Sequence, residues 1–183
     1  MRRSVRASSH RMVRRWWHRT GGVQDPSWFC QRRYVQRSVQ LRGMRILLIN
    51  GPNLDLLGSR EPHHYGDRRF EDYMEELRAA YPTVELAYFQ SNDEGAIVQV
   101  LRDRCAALDG IILNAGGYSH TSVAIRDTIV VLGKPVVEVH ISNIHAREPF
   151  RHHTITGAVC AGIITGFGLE GYRLAMDHLV RRT

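Results

Sequence analysis

The feature that most constrains the fold is an interleaving of two periods. Five short apolar runs, at 45–50, 84–90, 110–114, 136–140 and 159–165, are separated by segments whose apolar residues recur at helical spacing. In 69–80 those residues are Phe70, Tyr73, Met74, Leu77 and Ala80, with acids between them, and Pro82 ends the pattern. In 93–107 they are Ile97, Val98, Leu101 and Cys105, behind Asp93 at a plausible N-cap. Helices are also expected over 119–132 and 169–180. Runs this short, bounded by Gly, Pro and Asn, read as strands buried on both faces. Strands alternating with helices of this length require a parallel sheet covered on both sides.

The expected fold class is therefore α/β: a flavodoxin-like, doubly wound, five-stranded parallel sheet. Residues 44–183 are enough for one domain with a real core and too few for two. In such sheets ligands bind beyond the carboxyl ends of the strands. The polar residues collect there. The first run stops in Asn50-Gly51-Pro52-Asn53, the third in Asn114-Ala115-Gly116-Gly117-Tyr118-Ser119-His120, and the fourth carries Glu138, His140, Ser142 and Asn143. One Asn or His at a strand end is ordinarily a turn or cap residue. Three strands ending this way on one rim mark a site. The loop over 54–66 is long for a compact domain and carries Asp55, Arg60, Glu61, His63, His64 and Tyr65, with Gly58 and Gly66 as candidate hinges. Loops of this length are usually functional or disordered, and this one has the chemistry of a lid.

Charge divides the chain in two. The net charge is +7, but residues 1–43 hold eleven arginines against the single acid Asp25, a net of +10, and 44–183 hold 14 basic and 17 acidic residues, a net of −3. All three tryptophans also lie in 1–43. That segment shows no sustained period and no apolar run of a signal peptide, so the expectation is a disordered basic extension. Its Arg-rich, acid-poor composition also matches a transit peptide, and Met44, directly before the first strand, is a candidate start that would make 1–43 upstream sequence. A basic arm for nucleic acid is the third reading. The acidic body argues against nucleic acid as a partner. No stretch approaches the roughly 18 apolar residues of a membrane span. Three widely spaced cysteines make no disulfide framework or zinc site and fit a reducing, cytoplasmic location.

Two patterns are decoys. Gly166-Phe167-Gly168-Leu169-Glu170-Gly171 matches G-x-G-x-x-G, but the chain ends too soon for the strand and acid of a dinucleotide site, so the glycines are expected to serve a tight turn and close helix packing. The pairs His63-His64 and His152-His153 point to opposite sides of an extended segment and lack a carboxylate motif, so no metal is expected.

Four separated motifs, in order, resemble the type II 3-dehydroquinate dehydratases. These are Asn-Gly-Pro-Asn-Leu-Asp-Leu-Leu-Gly-Ser-Arg-Glu-Pro-His-His-Tyr-Gly at 50–66, Phe-Gln-Ser-Asn at 89–92 with Glu94-Gly95, the segment 113–127, and the segment 138–151, with a closing stretch at 162–172. The resemblance covers essentially all of 44–183 and nothing of 1–43. It implies dehydration of 3-dehydroquinate to 3-dehydroshikimate in the shikimate pathway, a reaction that serves aromatic amino acid biosynthesis and catabolism alike. It also implies no metal or organic cofactor, no Schiff-base lysine, and a homo-oligomer, a dodecamer built as a tetramer of trimers. The absence of a Schiff base agrees with Lys134, the only lysine, lying away from every motif.

The resemblance also implies roles. The proton removed lies next to a ketone, so the step makes an enolate and needs a base near neutral pH. Tyr65 matches the base, and Arg60 its activating cation, since a guanidinium favours phenolate. Asn53 matches a residue that helps hold the water serving the enolate oxygen. His140 matches the general acid for the leaving hydroxyl. Glu138, two residues earlier on one strand, faces the same way and orients or charges the imidazole. The substrate carboxylate matches the backbone N–H groups of Ile141 and Ser142 with the Ser142 hydroxyl. Asn114, His120 and Arg151 match ring-hydroxyl contacts, Asp127 a residue that reaches a neighbouring subunit's site, and Arg147 a second arginine of that segment. The rival reading from another class is a non-catalytic flavodoxin-like ligand-binding module.

Overall fold

The computed structural model describes residues 43–57 and 69–182. By its contacts the chain divides into Met1–Gln40 and Leu41–Thr183, and everything described belongs to the second unit. The expectation of a disordered extension, and those for Arg60, His63, His64 and Tyr65, lie outside the described residues.

Five strands form one sheet: β1 (Met44–Asn50), β2 (Val84–Gln90), β3 (Gly110–Asn114), β4 (Val136–His140) and β5 (Gly162–Thr165). They are all parallel, in the order β2-β1-β3-β4-β5. This is the expected doubly wound sheet. From β1 the chain runs out to β2 on one side and returns to β3 on the other, so the connections part at the carboxyl ends of β1 and β3. That parting opens the crevice in which such sheets bind ligands.

Both faces of the sheet are covered, as the apolar runs require. The helices α1 (Phe70–Ala80) and α5 (Glu170–Arg181) lay Phe70, Tyr73, Met74 and Leu77, and Tyr172, Ala175, Met176 and Leu179, over Ile46, Leu48, Ile112, Val137 and Val139. On the other face α2 (Glu94–Arg104) and α4 (Val123–Leu132) lay Ile97, Leu101, Ile125, Ile129 and Leu132 over Leu47, Ile49, Ile111, Leu113 and Val136. Successive β1 residues feed opposite cores, which is why that strand is apolar without alternation. Each such buried Leu or Ile contributes about 1.5–3 kcal/mol of transfer free energy.

Three boundaries differ from expectation. The helix expected over 119–132 is two: a single turn, α3 (Tyr118–Thr121), then α4. Ser122 between them leaves the helical region, and its Oγ accepts from the Ile125 N–H at 2.9 Å, capping α4. The helix over 93–107 is α-helical to Arg104 and tightens into a 3-10 turn, Cys105–Ala107; its cap is as expected, with Asp93 Oδ1 accepting from Ala96 N–H at 2.7 Å. The last strand is shorter than 159–165, because Gly157–Val159 is a 3-10 turn. The glycines near the C-terminus do what their spacing suggested. Gly166 and Gly168 have φ of 89° and 59°, and a Cβ on Gly171 would stand 3.1 Å from Val139 Cγ1, so α5 approaches β4 closely.

Candidate active site

The residues that end β1, β3 and β4 converge on one cavity of about 290 Å³ at the parting of the connections. At the first rim, Gly51 donates its N–H to the Asn114 carbonyl at 2.7 Å, and a Cβ there would lie 2.5 Å from the Ala115 oxygen. Only glycine lets the two strand ends close to this distance. Asn53 follows in the left-handed region at φ 64°, which Asn tolerates, with its N–H donating to Asn92 Oδ1 at 2.9 Å.

Beneath the rim lies a buried polar relay. Tyr172 of α5 is 0% exposed; its Oη donates to Asn50 Oδ1 and accepts from Asn114 Nδ2, each at 2.8 Å. Asn114 Oδ1 accepts from Gly116 N–H at 3.2 Å. An N–H can only donate, so the Asn114 amide has one orientation: nitrogen down to Tyr172, oxygen toward the rim.

Two imidazoles face each other across the cavity wall, His120 and His140, with ring centroids 5.9 Å apart and planes 25° from parallel. Their hydrogen bonds assign opposite tautomers. His120 Nδ1 lies 2.8 Å from the His153 carbonyl, which only accepts, so His120 carries its hydrogen on Nδ1 and presents a bare Nε2. Burial, above all, pulls the His120 pKa below its ordinary value, so the ring is neutral near pH 7. His140 Nε2 lies 2.8 Å from Glu138 Oε1; that nitrogen donates, and Nδ1 is left for the cavity. Glu138 is 0% exposed in the middle of β4, and its other oxygen accepts from the Thr156 hydroxyl.

The chain after β4 completes the wall. Ile141 and Ser142 line the cavity with Arg147 and Arg151. Arg147 Nη1 reaches Ser142 Oγ at 3.5 Å, and Glu148 takes Arg151 Nε at 2.9 Å and Arg147 Nε at 3.4 Å. Two guanidinium groups and no lining carboxylate make this cavity, as far as the described residues form it, a receptor for an anion. Among the described residues, no three His, Cys, Asp or Glu gather as metal ligands. His152 instead sets Nε2 3.1 Å from the Arg147 carbonyl.

The sequence matches say the same as the rim. Residues 44–180 match the family model described as Dehydroquinase class II. The chain belongs to that family. It is 56% identical over 138 residues to the 3-dehydroquinate dehydratase of an Exiguobacterium species, covering 75% of this chain and 94% of the relative. It is 50% identical over 139 residues to Catabolic 3-dehydroquinase 1 of Aspergillus fumigatus, covering 75% and 93%. Among solved structures, the type II dehydroquinase of Butyrivibrio crossotus superposes with a TM-score of 0.72 at 43% identity, over 75% of this chain and 97% of that one.

Of the residues singled out in the sequence of this class II dehydroquinase, Asn53, Asn114, His120, His140, Ile141, Ser142, Arg147 and Arg151 line one cavity. Glu138 stands behind His140. Asp127 does not join them: it lies on α4, 63% exposed, paired with Arg126 at 2.7 Å. Sequence reasoning missed Asn50, Thr156 and Tyr172. Asn50 was in view as a strand end, but its partner is 122 residues away. The apolar floor of Leu54, Leu56 and Leu57 was also missed, hidden inside the loop motif.

Proposed function

We propose that this chain dehydrates 3-dehydroquinate to 3-dehydroshikimate by anti elimination through an enolate, without metal or organic cofactor. The observation that supports this most is the Glu138–His140 pair, buried behind a cavity whose cations suit a carboxylate substrate. Tyr65, as a phenolate favoured by the Arg60 guanidinium, takes the proton next to the ketone, and the electron pair moves onto the carbonyl oxygen. Asn53, through a water, steadies that enolate oxygen. As the enolate collapses, the C–O bond breaks, and the leaving hydroxyl takes its proton from His140 and departs as water. The backbone N–H groups of Ile141 and Ser142, with the Ser142 hydroxyl, hold the substrate carboxylate. Asn114, His120 and Arg151 read the ring hydroxyls, and Arg147 closes over them.

The tyrosines of the core support the choice of Tyr65. Burial pushes Tyr73 and Tyr88 up to about 12 and Tyr172 higher still, so none of the three is a base at neutral pH.

Asp127 serves a neighbouring subunit in a homo-oligomer, a dodecamer of four trimers. Its exposure and distance from its own cavity are what such a role requires, and Val123, Val130 and Val131 of the same helix are exposed as well. The domain is 44–183, with 1–43 an appendage to it. The free cysteines Cys105 and Cys160 suit the cytoplasm; no described helix is long and apolar enough to cross a membrane.

The test is to add 3-dehydroquinate and follow the conjugated enone by ultraviolet absorbance, with the full chain and with residues 44–183 alone. Both are expected to turn over at similar rates. Folded protein that binds the substrate without an enone signal is a binding module, and the reading fails.

A further inference from the structure

A carboxylate at 0% exposure needs each oxygen met by a donor, because an unmet buried charge costs several kcal/mol. Glu138 Oε1 is met by His140 Nε2. Its Oε2 is met by Thr156, which belongs to none of the strand ends and does not line the cavity. Thr156 is itself 0% exposed. The N–H groups of Ile155 and Thr156 both point at the Ser119 carbonyl, at 2.9 and 3.4 Å, so the backbone that carries the hydroxyl is pinned to α3, the single turn that follows β3. The hydroxyl also lies 3.4 Å from that carbonyl, but its one proton goes to the nearer and charged acceptor. Gly157 brings the same backbone against the carboxylate: a Cβ there would stand 2.9 Å from Glu138 Oε1.

We infer that Thr156 is a positioning residue for the acid: its hydroxyl holds the Glu138 carboxylate in the rotamer that presents Oε1 to His140, and so fixes the ring with Nδ1 toward the cavity. This role rests on the dehydration reading. The segment 151–156 thereby reaches the site three times. Arg151 enters the cavity, the His153 carbonyl sets the tautomer of His120, and the Thr156 hydroxyl sets Glu138. Both imidazoles are oriented from one short stretch that follows the fourth strand.

The test compares Thr156→Val, which keeps the shape and removes the donor, with Thr156→Ser, which keeps the donor. Both are measured in the full-length chain with 3-dehydroquinate. Loss of a charge-assisted bond to a group acting in proton transfer lowers kcat about 10- to 100-fold in Thr156→Val. KM stays within about threefold, since Thr156 touches no substrate, and Thr156→Ser stays within about threefold of wild type in both constants. Should Thr156→Val not fold, Thr156→Ala against Thr156→Ser gives the same comparison. Wild-type kcat in the variant lacking the hydroxyl overturns the role, as does a serine variant no faster than it, or a loss carried by KM. A wild-type chain that makes no enone overturns the dehydration reading and this role together; an active wild type with an unaffected Thr156→Val overturns this role alone.

Discussion

Tyr172→Phe removes one oxygen and leaves every apolar contact of the ring in place. The ring sits edge-on to Phe70 with centroids 5.2 Å apart and is fully buried, so neither packing nor volume changes appreciably. Two polar atoms lose their partner: Asn50 Oδ1, on a residue 0% exposed, and Asn114 Nδ2, on a residue 3% exposed. Each was 2.8 Å from the hydroxyl, and an ordinary hydroxyl geometry sets two such partners about 4.5 Å apart, beyond hydrogen-bond reach of each other. A buried group left unmet costs about 1–3 kcal/mol, so the pair costs about 2–6 kcal/mol. For a domain of this size that lowers the melting temperature by roughly 5–20 °C. Tyr81→Phe is the internal control. It too removes a tyrosine hydroxyl, bonded to Asp177 Oδ1 at 2.6 Å, but both residues are only half-buried and water can replace the partner. Its cost stays below about 1 kcal/mol. Urea and thermal unfolding of both variants measure the difference. If Tyr172→Phe costs no more than Tyr81→Phe, the strand ends have closed to pair the two amides, and the rigidity argued for this rim is wrong. The same variant frees the Asn114 amide to turn, so KM for 3-dehydroquinate is expected to rise.

Three further outcomes follow from the site. Tyr65→Phe and His140→Ala each lower turnover by orders of magnitude with the fold intact by circular dichroism; a near-wild-type rate in either removes that residue from the mechanism. His120 has its folded pKa below the unfolded value near 6.5, so below that pH the unfolded chain binds more protons, and stability falls as pH drops until the folded value is passed. His120→Asn should therefore lose less urea resistance than wild type between about pH 7.5 and about pH 5.5, and an equal loss refutes it. Gly51→Ala places a methyl against backbone that cannot yield, so a loss of about 1–3 kcal/mol in urea unfolding is expected, and a neutral result contradicts the close approach of the two strand ends.

The strands were legible because each is a continuous apolar run stopped by Gly, Pro or Asn, and the rim was legible because a doubly wound sheet sends those stops to one edge. What stayed hidden is set by contacts distant in sequence. Tyr172 reads as one more apolar residue on the buried face of α5, and nothing local says that its hydroxyl spans Asn50 and Asn114. Thr156 looks like an ordinary turn residue until the fold carries it beneath β4. The break at Ser122 had a local signal, a serine inside a helical pattern, which favours a cap over a helix interior. The apolar period on both sides outweighed it, since one cap changes only the phase between a single turn and the helix that follows.

The paired imidazoles show how fold and chemistry depend on each other. The two rings, with centroids 5.9 Å apart, differ in what stands behind each. Behind His120 is a backbone carbonyl, neutral and fixed by the chain path, and burial keeps that ring uncharged. Behind His140 is a carboxylate, buried on β4 and steadied by Thr156. The anion and the carbonyl could not trade places without changing which strand ends in His-Ile-Ser. A β4 buried on both faces is thus interrupted by one charged residue, Glu138, at the nearest position that shares a face with His140. The most conspicuous break in the apolar pattern of the sheet stands behind the ring that the proposed mechanism uses as its acid.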